Sequence, residues 1–145
     1  MKYYNRQICF QEVPNEVSLS FLITWCKLNC KWCHSPQGWN WNRWIELDLR
    51  KEISPYKWLV SCILFLWGEW EEEKLLEQMQ IAKEEWLKTC LYTGQEDVSS
   101  NIRMNLDYLK TWPYKEENGG LDNPNTNQKM LNLNTGEDIT YLFHK

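Results

Sequence analysis

The alternation of apolar and polar residues marks a strand near residue 20. Between residues 17 and 24, apolar side chains occupy every second position on one side and hydroxyl residues lie on the other, which predicts a β-strand. The continuous apolar run at residues 59–66 lies between turn-forming residues and predicts a strand buried on both faces. The segments Lys88–Tyr92 and Tyr108–Thr111 are predicted to be the next strands.

Helical patterns separate these runs. Residues 47–53 predict a short helix that ends before Pro55, because the residue preceding a proline avoids the helical region. Residues 71–85 predict a longer helix with acids in its first turn and one apolar stripe. A weaker helical pattern covers residues 97–106. Strands that alternate with helices indicate an α/β fold with parallel pairing through right-handed crossovers.

The end of the chain has a different pattern. Residues 129–133, a turn at 134–137 and residues 139–143 predict a terminal hairpin. A polar loop rich in glycine and asparagine precedes it at residues 118–127. With 145 residues, the chain is expected to form one domain, residues 1–145, that is long enough for a core.

Charge and hydropathy narrow the class of protein. The net charge of −4 argues against a nucleic-acid partner, since phosphate binding favours a basic surface. The longest apolar run, residues 58–67, is far shorter than the roughly 20 residues that span a bilayer. Residues 1–6 lead into no signal-peptide core. We therefore expect a cytoplasmic protein with reduced thiols and no membrane partner.

Three cysteines in one short loop are the strongest chemical signal. Cys26, Cys30 and Cys33 are spaced by three and then two residues, and Trp32 precedes the third. Three thiolates on one loop can bind three irons of a four-iron cluster, which normally takes four cysteine ligands. One iron would then remain open to a small molecule, so the loop is a candidate active site.

The alternative interpretation of the loop is a structural zinc site with His34 as fourth ligand. Such sites usually have a second pair of ligands far along the chain, and that pair is missing here. The remaining cysteines carry no paired spacing. Cys62 and Cys90 lie in apolar runs and are interpreted as small buried hydrophobic residues.

The candidate motifs all follow strands. The cysteine loop follows the first strand, Gly68-Glu69 the second, Thr93-Gly94 the third and Trp112-Pro113 the fourth. Reactive groups in parallel α/β sheets gather at the carboxyl ends of the strands. These motifs are therefore expected along one edge of the sheet.

The cysteine spacing resembles that of the radical S-adenosylmethionine (SAM) enzymes, whose signature is Cys-x3-Cys-x2-Cys with an aromatic before the third cysteine. Within that superfamily, residues 17–143 resemble the activating proteins of anaerobic ribonucleoside-triphosphate reductase. The motifs that carry this resemblance are Cys33-His34-Ser35-Pro36, Gly68-Glu69-Trp70 and Gly119-Gly120-Leu121-Asp122.

The resemblance implies a shortened partial β/α barrel of the radical SAM type with a C-terminal hairpin. It implies a 4Fe-4S cluster on Cys26, Cys30 and Cys33, and SAM as the second cofactor. The implied activity is reductive cleavage of SAM that generates a glycyl radical on the reductase, with no catalytic residue beyond the cluster. A flavodoxin-like or other low-potential protein would donate the electron. The alternatives are an activase of another glycyl radical enzyme and a non-catalytic zinc- or iron–sulfur-binding module.

The resemblance also assigns SAM contacts. Gly68 and Glu69 match the second half of a Gly-Gly-Glu motif that contacts the amino group of SAM, and Trp67 stands where its first glycine is expected. Trp32 matches the aromatic beside the adenine. Thr93 and Lys110 are candidates for ribose or carboxylate contacts. The alternative for Glu69 is an acid favoured by the dipole of the following helix.

Ten tryptophans against six glycines is an unusual composition, because average usage would give about ten glycines. Six of the tryptophans stand where the fold or the family motifs favour glycine. We hypothesise that they are glycine in the living protein, through UGA codons that its cell reads as glycine. Moving six residues from one type to the other leaves four tryptophans and twelve glycines. The alternative is a genuinely tryptophan-rich, diverged or decayed protein. The six are Trp25, Trp44, Trp58, Trp67, Trp86 and Trp112.

Overall fold

An eight-stranded open sheet forms the centre of the computed structural model, which describes residues 1–23 and 45–144. In space the strands follow the order β3-β1-β2-β4-β5-β6-β7-β8. The strands are β1 (Lys2–Cys9), β2 (Ser18–Ile23), β3 (Ile45–Glu46), β4 (Cys62–Leu66), β5 (Lys88–Tyr92), β6 (Tyr108–Thr111), β7 (Lys129–Asn132) and β8 (Glu137–Asp138).

The four central strands β2, β4, β5 and β6 pair in parallel, whereas the outer strands pair antiparallel. This confirms the predicted α/β class and the parallel pairing. The sequence pattern missed β1 because a bulge between Tyr3 and Asn5 breaks its alternation. A bulge adds one residue to a strand, so side chains beyond it change faces.

Within residues 1–23 and 45–144, three α-helices connect the strands, and two of them begin at residues that cap them. The helices are α1 (Leu49–Ile53), α2 (Glu72–Glu84) and α3 (Ser100–Met104). The side chains of Asp48 and Ser99 accept hydrogen bonds from backbone N–H groups in the first turns of α1 and α3, which satisfies donors that a helix start leaves unpaired. No helix within the described ranges is both long and apolar enough to cross a membrane.

The two faces of the sheet have separate apolar cores. Leu19, Phe21, Phe65 and Leu91 are fully buried on one face, in a cluster that includes the predicted α2 stripe of Leu75, Met79 and Ala82. The other face carries Cys62, Leu64, Cys90 and Met130, with Val13 and Ile139 packed against them. Cys62 and Cys90 are fully buried, as predicted.

The terminal hairpin exists but is shorter than predicted. β7 pairs with β8, whereas residues 139–143 do not form the predicted second strand, and Thr140–Phe143 is a 3₁₀ turn. The carboxylate of Asp138 accepts hydrogen bonds from the Thr140 N–H at 3.0 Å and from its hydroxyl at 2.5 Å. This local bonding competes with a strand ladder and ends the strand at Asp138.

Candidate functional site

Three candidate residues lie at the carboxyl ends of β4, β5 and β6. Glu69 follows β4 in a 3₁₀ turn, Thr93 follows β5, and Lys110 lies near the end of β6. The Thr93 hydroxyl donates to Glu69 Oε1 at 2.7 Å, and the Thr93 N–H donates to the Lys110 carbonyl at 2.9 Å. The structure therefore brings the Glu69 and Thr93 side chains into contact and joins Thr93 to Lys110 through the backbone.

The second carboxylate oxygen of Glu69 is the unusual atom of this cluster. Oε2 is buried and, among the residues that the structure describes, has no hydrogen-bond partner. Burial raises the pKa of Glu69 above its ordinary 4.5; the Thr93 hydrogen bond, the residue's own N–H and the charge of Lys110 oppose this rise. A buried acceptor without a donor costs about 1–3 kcal/mol, so the oxygen is suited to a ligand that donates a proton.

The structure agrees with the helix-dipole alternative as well. Glu69 lies in the first turn of the 3₁₀ segment Glu69–Glu71, which leads into α2, where an acid is favoured by the dipole. In addition, its carboxylate accepts a hydrogen bond from the buried Thr93, directly after β5.

Lys110 supplies the opposite charge. Its side chain is buried, and its Nζ lies 5.5 Å from the centre of the Tyr92 ring and 3.3 Å from the Trp112 carbonyl. A cation over an aromatic face is attracted by the ring electrons. These contacts direct the ammonium along the carboxyl edge of the sheet.

Gln128 is a member of this cluster that no sequence motif indicated. Its amide orientation is assigned from its partners. With the oxygen facing Lys110, Oε1 accepts from Lys110 Nζ at 2.8 Å and from the Tyr114 N–H at 3.2 Å. If the amide nitrogen occupied that place instead, the Gln128 NH2 group and the Lys110 ammonium would be two donors facing each other. The first orientation is therefore adopted. The available signal in the sequence was that Gln128 is a polar residue directly before β7.

Gly68, directly before Glu69, packs against the end of β2. The residue is buried with φ of +112°, where only glycine is at ease. A Cβ atom here would lie 3.3 Å from Met1 Cε and 3.5 Å from the Ile23 side chain. Ile23 is the last residue of β2, so Gly68 packs directly against the strand that leads toward the cysteines.

The predicted cluster ligands Cys26, Cys30 and Cys33 lie outside the described residues, as do Trp32 and His34. In residues 1–23 and 45–144, no group of three or more histidine, cysteine or acidic side chains could hold a metal ion.

The described cysteines Cys9, Cys62 and Cys90 are free and buried. Burial raises the pKa of all three thiols. High-pKa buried thiols are inert, so these three are structural.

A cavity of 650 Å³ is lined on one side by Tyr92, the residue whose ring lies 5.5 Å from Lys110 Nζ. Tyr92, Leu121 and Asp122 line it. The preceding Gly119 has φ of +74°, and a Cβ there would lie 2.6 Å from the Asn123 amide nitrogen. The Gly119-Gly120-Leu121-Asp122 motif therefore forms a tight turn at this cavity.

The chain has no match among known family models, curated proteins or solved structures. Its function is therefore inferred from the site itself. That site contains a buried Glu69 oxygen without a partner in residues 1–23 and 45–144, and the buried Lys110 side chain, both at the carboxyl edge of parallel strands. Ligands of α/β sheets bind at such edges.

Proposed function

We propose that the protein is a cytoplasmic radical SAM activase that generates the glycyl radical on anaerobic ribonucleoside-triphosphate reductase. Its open sheet is then a shortened partial β/α barrel of the radical SAM type. The observation that carries the proposal is the buried Oε2 of Glu69, which has no partner among the described residues, together with the electrostatic influence of Lys110 on this carboxylate. A carboxylate and an ammonium in one cluster complement the amino and carboxylate groups of an α-amino acid, which is one half of SAM.

The residues of the cluster divide the recognition of that half between them. Glu69 Oε2 accepts a hydrogen bond from the ligand's ammonium group, and the Thr93 hydroxyl fixes the carboxylate through Oε1. Lys110 Nζ donates to the ligand's carboxylate. Hydrogen bonds between charged groups contribute about 1.5–3 kcal/mol each. Trp32 covers the adenine in this proposal.

The cysteine loop supplies the metal centre. Cys26, Cys30 and Cys33 would hold a 4Fe-4S cluster, whose open iron takes SAM. Ile23, the last residue of β2, packs beside Gly68, and Cys26 follows it by three residues in the sequence. When bound, cluster and SAM supply the reductive sulfonium cleavage and the radical that removes a hydrogen atom from the target glycine.

The protein's own part in this chemistry is position and exclusion of water. Glu69, Thr93 and Lys110 are held by strand ends and orient the methionine half of SAM. Gly68 allows its backbone to approach the ligand without an intruding side chain. The cavity beside Leu121 and Asp122 leaves room for a segment of the partner reductase.

Anaerobic reconstitution with iron and sulfide tests the proposal. We expect about four irons per chain and, with dithionite and SAM, production of methionine and 5′-deoxyadenosine. Glu69→Gln should keep the iron and lose most of the SAM binding, whereas Cys30→Ala should lose the cluster. The assay should include a Trp67→Gly protein, since an indole beside Gly68 would obstruct the site. One bound zinc without SAM cleavage would instead establish the non-catalytic module.

The target is tested separately. After reduction and addition of SAM, the activase is mixed with an anaerobic ribonucleoside-triphosphate reductase or with pyruvate formate-lyase. A glycyl radical signal in the electron paramagnetic resonance spectrum of the reductase alone supports the proposed partner. A signal on the lyase alone assigns the protein to another glycyl radical enzyme.

A further inference from the structure

Left-handed backbone conformations in this chain are concentrated at tryptophans. Four non-glycine residues in the described ranges have positive φ: Asn15 at 67°, Trp67 at 71°, Trp86 at 63° and Trp112 at 75°. Asparagine tolerates this region, but a bulky residue there is an outlier. Tryptophan therefore occupies three of the four positions where an L-residue is least favoured.

Trp86 stands where a helix most needs glycine. It follows the last turn of α2, where its N–H donates to the Lys83 carbonyl at 3.0 Å and the Leu87 N–H donates to the Ala82 carbonyl at 3.0 Å. These two bonds define a Schellman motif, whose left-handed residue is usually glycine. The Trp86 side chain is 92% exposed, so packing of the indole does not explain why tryptophan occupies this position.

Trp67 and Trp112 occupy equivalent places on two parallel strands. Each follows the carboxyl end of its strand, β4 or β6, and its N–H bonds a neighbouring carbonyl, Tyr92 or Gln95, at 2.9 and 2.8 Å. These backbone bonds hold the left-handed turn whatever the side chain is. Both turns border the candidate site, where a side chain would take up ligand space.

We propose that the native protein carries glycine at positions 67, 86 and 112, encoded by UGA codons that its cell reads as glycine. Composition and conformation support this independently: the chain is rich in tryptophan and poor in glycine, and these tryptophans adopt glycine's conformation. The inference does not depend on the proposed enzyme activity, because Trp86 lies before β5, at the edge of the sheet opposite the candidate site.

The two other described tryptophans, Trp58 and Trp70, do not have positive φ. Trp70, which the family motif retains as tryptophan, is not left-handed. Trp58, one of the six suspected positions, also lies outside the left-handed region, and its indole N–H donates to the Pro55 carbonyl at 3.2 Å. The backbone therefore supports three of the four suspected positions that the structure describes. Trp25 and Trp44 lie outside the described residues.

The direct test is to read the gene and the protein from its own cells. We expect UGA at codons 67, 86 and 112, UGG at codon 70, and peptides whose mass corresponds to glycine at the three positions. UGG at these codons would overturn the proposal, and so would UGA codons whose peptides carry tryptophan.

A stability series on the recombinant protein tests the conformational basis. Trp86→Gly should raise the melting temperature by about 3–6 °C, since the left-handed conformation costs a side-chain-bearing residue about a factor of ten in the folding equilibrium. Trp86→Ala controls for loss of the indole and should bring little of this gain. Trp58 is the matched exposed position, at 83% exposure, and there glycine should be no more stable than alanine. Equal stability of the two variants at position 86 would contradict the conformational argument.

Discussion

The two oxygens of the Glu69 carboxylate lie in different environments, and this sets the behaviour of the residue. Oε1 accepts from Thr93, whereas Oε2 is buried without a partner among the described residues. Burial is the largest cause of the raised pKa of Glu69. The folded protein therefore binds this proton more tightly than the unfolded chain does.

The raised pKa predicts how stability changes with pH. Between pH 4.5 and the raised value in the folded state, the unfolded chain releases the Glu69 proton first, so stability falls as pH rises through this window. Glu69→Gln removes this dependence. Melting temperatures of the variant and parent should diverge in favour of the variant as pH rises from about 4.5 to 7. Glu77→Gln, on the exposed side of α2, is the control. A constant difference across this range would show that Glu69 is not the titrating group.

The Thr93 hydroxyl donates a hydrogen bond to the Glu69 carboxylate. A second prediction follows from this bond. Thr93→Val keeps the side chain's shape but removes the hydroxyl that donates to Glu69 and accepts from the Gln95 N–H at 3.1 Å. We expect a loss of about 1–3 kcal/mol in the free energy of unfolding, measured in urea at neutral pH. Thr93→Ser retains the hydroxyl and should recover most of that loss. Equal losses in both variants would mean that the methyl group, and not the hydrogen bond, matters.

At the scale of elements, the pairing of β6 with β7 completes the cluster. Lys110 pairs with Met130 and Thr111 with Lys129, so Gln128, directly before β7, is carried to the end of β6. Its amide oxygen then accepts a hydrogen bond from Lys110 Nζ at 2.8 Å. The antiparallel return strand thus orients a side chain of the parallel sheet.

Gln128 is therefore expected to act on ligand binding through Lys110. Gln128→Leu should weaken binding of S-adenosylhomocysteine, which keeps the amino-acid half of SAM, about tenfold. Binding of methylthioadenosine, which lacks that half, should change little. In a Lys110→Met background the Gln128 substitution should cost nothing further, as measured by calorimetry on the reconstituted protein. Gln80→Leu, exposed on α2, is the control. An equal loss of affinity for both ligands would show that Gln128 has only a structural role.

The elements also show what the sequence could and could not predict. Lys88–Tyr92 and Tyr108–Thr111 match their predicted bounds. The continuous apolar run predicted as a buried strand contains β4, as expected for a central parallel strand. β1 was missed since its bulge reverses the alternation. The placement of Glu69, Thr93 and Lys110 along one edge followed from the rule on strand ends. Gln128 did not, because strand register decides its neighbour.

At the scale of the whole molecule, the two edges of the parallel sheet have different chemistry. The carboxyl edge carries a buried oxygen without a partner among the described residues. At the amino edge, the buried Glu16 carboxylate accepts hydrogen bonds from Ser61 Oγ at 2.5 Å, Lys88 Nζ at 2.8 Å and Tyr108 OH at 3.1 Å. These partners stand at or just before the starts of β4, β5 and β6. The Glu16 carboxylate at the amino edge is therefore fully bonded, and the Glu69 oxygen at the carboxyl edge is the one for which we propose a ligand.

This division predicts that stability and ligand binding can be changed separately. Glu16→Ala removes the carboxylate that accepts from Ser61 Oγ, Lys88 Nζ and the Tyr108 hydroxyl, and should reduce the free energy of unfolding by about 2–4 kcal/mol. Glu77→Ala, on an exposed helix face, should cost less than about 0.5 kcal/mol. At temperatures where it remains folded, the Glu16 variant should bind S-adenosylhomocysteine like the parent, because its carboxylate joins the opposite ends of the strands. Weakened binding in the folded variant would show that the two edges are coupled through the sheet, and the carboxyl edge could then no longer be treated as an independent site.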